Sequence, residues 1–183
     1  DMFNPEALVG QLISGHRIQS VIGSTNIVTV YIARQLSLDR DVVLKVVHPN
    51  FADAESPLAR EIDEQTKAAA RINHQSIAQV HECGTAKHFI WSSMELIDGE
   101  MLFDLLDREG QLAPEIALMM AEKIADGMQS AHEHDIVHRA LNPRNIMLSK
   151  DGRIKVVDLV LEQFLRYHLE QKGIPTPEDH ADY

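Results

Sequence analysis

Along the first hundred positions, apolar and β-branched residues come in short runs separated by turn-prone pieces. Arg17 to Val21, Val28 to Arg34 and Asp41 to Val47 have the composition of strands, and Gly23 to Asn26 and Leu38 to Arg40 break them. The pattern predicts an antiparallel meander. From Glu55 to Asn73 the period changes: Leu58, Ile62, Ala69 and Ile72 share one helical face, with polar residues around the remainder. Two further strands, Ala78 to Cys83 and His88 to Met94, lead to Asp98-Gly99, a turn signal. Five strands and one helix are therefore expected in the first half. Beyond Gly99 helical spacing dominates. Met101 to Arg108 and Ala113 to Glu133 are predicted helices, the second carrying an apolar stripe of Ile116, Met120, Ile124, Met128 and Ala131. Ile146 to Ser149 and Ile154 to Val157 read as short strands joined through Lys150-Asp151-Gly152, a hairpin signal. Leu159 to Lys172 returns to helical spacing, and Gly173 is placed to stop it.

Composition narrows the function classes. The chain has 183 residues, 44% hydrophobic and 25% charged, enough to bury a core in one domain or two packed lobes. Its formal charge of -11 argues against nucleic acid or an anionic lipid surface as partner. A single cysteine, Cys83, excludes an internal disulfide and suits a reducing compartment, so a cytoplasmic location is expected. No apolar run reaches the roughly 20 residues of a membrane span. The opening Asp1-Met2 and the polar close from Pro175 to Asp182 are those expected of a fragment, and a membrane anchor elsewhere in a longer protein is compatible with them.

Four landmarks carry a family resemblance. Val42-Val43-Leu44-Lys45 resembles the V-A-I-K strand of protein kinases, and Ile136 to Asn145, containing His138-Arg139-Ala140-Leu141-Asn142, resembles the H-R-D catalytic loop. Lys150 to Asp158 resembles the hairpin leading into D-F-G, and Ile22-Gly23 to Val30-Tyr31 the strand-turn-strand of the glycine-rich loop. Asn73-His74 and Ala131-His132 look most like Ser/Thr kinases of the bacterial type. The resemblance implies an α+β, protein kinase-like fold: an antiparallel five-stranded N-lobe with one helix over 1–97, and a partial, mainly helical C-lobe over 98–183. No A-P-E motif follows, so the helices that would cover Met120, Ile124 and Met128 are expected to be missing, leaving an apolar face for a partner.

Phosphoryl transfer rests on positioned phosphate donors, metal ligands and an Asp that accepts the hydroxyl proton. Ala140 stands at that Asp, a loss that typically costs ~10²–10⁴-fold. Asn142 replaces the loop lysine, and Thr25 and Val28 stand where the second and third glycines would lie, stiffening the loop. Val43 adds two methyl groups over the adenine position. Lys45 matches the phosphate-binding lysine, but Gln65 falls at its helix glutamate; Glu61, one turn earlier, could reach instead, whereas Glu64 is rotated away. Lys45 reads equally as a solvated strand lysine. Asn145 and Asp158 match the metal ligands of a vestigial ATP site that also includes Gly23 and Lys45; the simpler alternative is that Asn145 ties the loop and Asp158 pairs with a cation. Val160 removes the D-F-G glycine and argues against an in/out switch.

The spacing of His132, His134 and His138 argues against zinc, and His138 is expected inside. Cys83 reads as a small buried residue. The leading expectation is a catalytically inactive pseudokinase serving as a signalling or scaffold module, binding a protein partner or self-associating through the incomplete C-lobe and needing no cofactor. A nucleotide-sensing pseudokinase holding ATP weakly with Mg²⁺ or Mn²⁺ is the alternative. An unconventional Ser/Thr kinase or other transferase, with the nucleotide in a different pose in the same pocket, ranks last; Glu61, Asp63 and Glu64 near Lys45 would then need a purpose.

Overall fold

The computed structural model describes residues 3–25, 27–49, 55–171 and 173; Asn26, Lys172 and the stretch from Pro175 to Tyr183 lie outside them. Alternating side chains need a sheet to bury a face, and the strands β1 (Leu12–Ile13), β2 (His16–Ser24), β3 (Val28–Gln35), β4 (Arg40–Val47), β5 (Val80–Ala86) and β6 (Phe89–Glu95) form one sheet in the order β1-β2-β3-β4-β6-β5, antiparallel throughout. The sixth strand, beyond the five expected, is β1, whose two residues are too few to show an alternation. One face of the sheet packs Ile18, Tyr31, Val42, Leu44, Val46 and Trp91 together. The opposite face carries Val43, Lys45 and Val47, and it turns toward the helices.

Helix α1 (Pro57–Ala69) starts where the Ser56 hydroxyl accepts the Ala59 N–H, with Pro57 in the first turn. It is shorter than the Glu55 to Asn73 expected. Ile72 lies past its end yet is buried with Ala69. A second sheet of β7 (Gly99–Met101), β8 (Ile146–Ser149) and β9 (Ile154–Val156) sits beside α2 (Leu102–Glu109) and α3 (Pro114–His132). Gly99, expected in a turn, opens β7 instead. A Cβ there would run into the Leu148 carbonyl oxygen, so the glycine serves close backbone approach.

The apolar stripe of α3 is not left bare. Met128 and Ala131 pack with Ala69, Ile72, Val156 and Leu159, and Met120 packs with Leu102, Ile146 and Ile154. Ile124 is half-buried between the two groups. The expected open face is thus covered by β8, β9 and the end of α1. Helical spacing marks a face as apolar without saying which neighbour covers it. The exposed large apolar residues of α3 are Ile116, Leu118 and Met119, at 42%, 72% and 46% exposure.

Helix α4 (Leu161–Gln171) brings the chain back to the first sheet. Leu161, Leu165 and Leu169, one face of the helix, are buried against Leu58 and Ile62 of α1 and against Ile27, Val28 and Val30. Gly173 follows at φ +64, its N–H donating to the Glu170 carbonyl at 3.1 Å, as a helix stop requires. No helix among the described residues is long and apolar enough to cross a membrane. Replacing Gly99 with alanine should push β7 off β8 and cost about 1–3 kcal/mol; urea unfolding of Gly99→Ala against the parent checks it, and an unchanged midpoint would contradict the close approach.

Candidate functional site

The turn between β2 and β3 is where a glycine-rich loop would present free backbone amides. Here the Thr25 hydroxyl accepts the N–H groups of Ile27 (3.2 Å) and Val28 (3.1 Å), and the Thr25 N–H donates to the Val28 carbonyl (2.8 Å). The turn is also fastened to β4: the His48 N–H donates to the Ile27 carbonyl at 2.7 Å, and the Thr29 hydroxyl lies 2.8 Å from His48 Nε2. Thr25 and Val28, which the sequence marks as obstacles to flexibility, therefore have structural uses. Thr25 closes the turn, and Val28 is buried beneath it. Gly23 pairs with Val30 in the ladder.

Lys45 reaches down from β4 to Asp158, with Nζ 2.6 Å from Oδ2. Both side chains are largely shielded, at 16% and 10% exposure, so the pair is held in a low-dielectric setting. Glu61 and Glu64 are exposed on α1 and Gln65 is half-buried. The carboxylate that meets Lys45 is thus Asp158, which corrects the idea of Lys45 as a solvated strand lysine. Asp158 stands at φ +66, a left-handed conformation that a non-glycine residue adopts at a cost. Leu159 and Val160, which follow it, are buried among Ala69, Ile72, Met128 and Ile136.

The loop before β8 is built around His138 and the Ala140 carbonyl. His138 is buried; its Nε2 donates to the Val157 carbonyl (3.0 Å), and its Nδ1 accepts the Ala140 N–H (3.3 Å). The side-chain amides of Asn142 and Asn145 both donate to the Ala140 carbonyl at 2.8 Å. Asn142 Oδ1 also accepts the Arg144 N–H, capping the short 3₁₀ turn Pro143–Asn145. Asn145 thus ties the loop, and Asp158 pairs with a cation. Arg139, at φ +60, is exposed.

Between the two sheets lies a cleft of about 240 Å³. Ile22, Val30 and Val43 line it from the first sheet and Met101, Met147 and Val157 from the other side, with Lys45 and Asp158 in its wall. Glu95 links the two sheets at its back: its carboxylate accepts the Gln79 N–H (2.7 Å) and pairs with Lys155 of β9 (2.6 Å). Arg144, also in the lining, stacks on Phe103 with its guanidinium carbon 3.6 Å from the ring centroid. Sequence reasoning missed three features: the Thr25 clasp, the Glu95–Lys155 tie, and α4 beneath the turn. Only the last left a signal, the four-residue spacing of Leu161, Leu165 and Leu169.

His132 and His134 are exposed and His138 is internal, and among the described residues no group of three or more His, Cys, Asp or Glu side chains is arranged to hold a metal ion. Half-buried Cys83 directs its thiol at Asp63 Oδ1 (3.4 Å), and burial pushes its pKa up to about 11.

Two predictions follow from these contacts. Lys45→Met removes the cation that faces Asp158 at 2.6 Å and should lower the melting temperature; adding Asp158→Asn should recover part of that loss in thermal unfolding, and additive losses would contradict the pair. With a pKa near 11, Cys83 is only ~0.1% thiolate at pH 8, against ~25% for an ordinary thiol. Iodoacetamide labelling followed by mass spectrometry should run at least ~10-fold slower than for a model thiol.

Comparison with known proteins agrees with the architecture. A family model described as protein kinase domain matches residues 16–176. The serine/threonine-protein kinase PrkC of Bacillus subtilis is 32% identical over 152 residues, covering 82% of this chain and 23% of PrkC. PknL of Mycobacterium tuberculosis is 33% identical over 150 residues, covering 82% of this chain and 37% of PknL. The crystal structure of the M. tuberculosis PknI kinase domain superposes with a TM-score of 0.75 at 27% identity, covering 84% of this chain and 62% of that one. The chain thus spans between about a quarter and two-fifths of these two curated relatives. With the two sheets, the loop around His138 and the Lys45–Asp158 wall in the same order as the family motifs, this chain belongs to the protein kinase domain family, with bacterial Ser/Thr kinases among its relatives.

Proposed function

We propose that this kinase domain does not transfer phosphate and acts as a signalling or scaffold module that binds a protein partner or a second copy of itself. The observation that carries this reading is the loop around Ala140. A methyl group stands where the proton-accepting carboxylate is needed, and the neighbouring Asn142 is committed to the Ala140 carbonyl and the Arg144 N–H. Neither the Ala140 methyl nor the Asn142 amide can take up a proton. The exposed Ile116, Leu118 and Met119 on α3 support a surface role in the C-lobe, the part beyond residue 97. The acidic chain fits a protein partner better than nucleic acid or an anionic membrane, and a cytoplasmic setting suits a lone thiol.

The family resemblance implies ATP with Mg²⁺ or Mn²⁺, and the residues present match that ligand only in part. The apolar cleft favours a second reading, a pseudokinase that senses a nucleotide. The polar residues that would hold phosphate and metal oppose it, because Lys45 and Asp158 are paired with each other and the Asn145 amide bonds the Ala140 carbonyl. No cofactor is required for the leading reading.

Ala140→Asp restores one carboxylate and leaves Asn142, Thr25 and Val28 unchanged, so it should stay inactive. Transfer of labelled γ-phosphate to the chain itself or to a generic protein substrate measures this. Incorporation above background by the parent or by Ala140→Asp would sink the proposal.

A further inference from the structure

We infer that residues 3–9 form a strap that pivots at Gly10 and, when seated on the first sheet, braces the β2–β3 turn through the contact of the Phe3 ring with His48. This goes beyond the reading of a non-transferring domain and does not depend on it. The family model matches residues 16–176, so the strap precedes the part of the chain that the family describes.

The strap is held together mainly by its own hydrogen bonds. The Asn4 side chain accepts the Glu6 N–H (3.2 Å), the Ala7 N–H donates to the Asn4 carbonyl (3.2 Å) and the Val9 N–H to the Glu6 carbonyl (3.1 Å), which closes the short 3₁₀ helix Pro5–Leu8. Among the described residues a single hydrogen bond joins residues 3–9 to the sheet, from the Tyr31 hydroxyl to the Pro5 carbonyl (2.9 Å). The remaining attachment is apolar: Leu8 is buried in the cluster of Tyr31, Leu44 and Trp91, and Phe3 packs against the same cluster. Gly10 stays on the sheet through its N–H to the Ile18 carbonyl (2.9 Å), and at φ +83 it is a backbone position that can turn without a side chain in the way. A unit whose backbone groups are satisfied internally lifts off for the loss of one hydrogen bond and one apolar contact, which puts its opening at the low end of the stability range of the fold.

The tip of the strap reaches the residue that fastens the turn. The Phe3 ring lies over His48, with centroids 4.4 Å apart and planes tilted by 36°, and it meets Phe89 edge-on at 5.8 Å. His48 is buried; its Nε2 lies 2.8 Å from the Thr29 hydroxyl, and that hydroxyl lies 2.8 Å from the Ser24 hydroxyl across the base of the hairpin. Its N–H holds the Ile27 carbonyl at 2.7 Å. Hydrogen bonds in such a chain are stronger when kept from water. With Phe3 withdrawn, water reaches the imidazole and competes for the Thr29 hydroxyl, and the base of the turn loosens. Ile27 and Val28 share a core with Leu58 and Ile62, so the change passes to α1. Anything that draws Phe3 and Leu8 off the sheet therefore acts on α1 from the opposite face of that sheet.

The test is amide hydrogen exchange of the whole chain, read residue by residue by NMR, for the parent and Phe3→Ala. The amides of Thr25, Val28 and His48, which make the bonds of the turn, should exchange at least ~10-fold faster in the variant. Those of Ala78 and Val156, which tie β9 to the segment before β5, should keep the parent rate. Phe3→Tyr retains a ring over His48 and should retain the protection of the turn. Thr29→Val cuts the chain beyond His48; it should loosen the turn by itself, and Phe3→Ala added to it should bring no further acceleration. Phe3→Leu, which keeps apolar bulk without a ring, replaces Phe3→Ala if circular dichroism finds the latter unfolded. Unchanged exchange in the turn, or a uniform acceleration that includes Ala78 and Val156, overturns the strap as a brace. Protection lost in Phe3→Tyr, or further acceleration in the double variant, overturns the route through His48 and Thr29.

Discussion

The ion pair between Lys45 and Asp158 is the contact on which the arrangement of the site depends. Lys45 belongs to the first sheet and Asp158 to the segment leaving β9, so one 2.6 Å contact joins the two halves of the chain. Its consequences run in both directions along the sequence. Held at φ +66, Asp158 directs Leu159 and Val160 into the core between α1 and α3, and that exit sends α4 back beneath β3. With Asp158 facing Lys45, the half-buried Gln65 stands where the family resemblance puts the helix glutamate.

The residues that depart from the family motifs are not simple deletions. Asn142, in place of a lysine, caps the turn that holds Asn145, and Thr25, in place of a glycine, closes the hairpin over Ile27 and Val28. Each substitution has taken up a local hydrogen-bonding task of the kind short polar side chains perform at turns and caps. Reverting one of them removes a structural contact as well as restoring a chemical group. That coupling is the physical argument behind the proposal that a single carboxylate at position 140 would not suffice for transfer.

Much of the fold was legible because burial of one face imposes a period. The meander, α1, α3 and the β8–β9 hairpin lie within a few residues of their expected places. The errors occur where period carries no information. β1 is too short to alternate, Gly99 looks like a turn residue until its contact with the Leu148 carbonyl is seen, and the stripe on α3 is apolar without naming the elements that cover it. In the site, spacing from His138 located Ala140, Asn142, Asn145 and Asp158. It could not reveal the partner of Lys45, because a choice among Glu61, Gln65 and Asp158 depends on contacts more than a hundred residues apart in sequence. The Thr25 clasp was hidden for the opposite reason: it is wholly local, but it depends on side-chain geometry rather than on pattern.

Core packing gives the last step. The cluster that includes Leu161, Leu165 and Leu169 also contains Leu58 and Ile62 of α1 and Ile27, Val28 and Val30 of the hairpin, so the hairpin, α1 and α4 share one apolar core. Dense cores are bistable rather than compliant. Moving α4 would therefore disturb α1 as well as the hairpin. Val30 and Val43, which line the cleft, both pack on that shared core. The same cluster thus connects the wall of the cleft to α1.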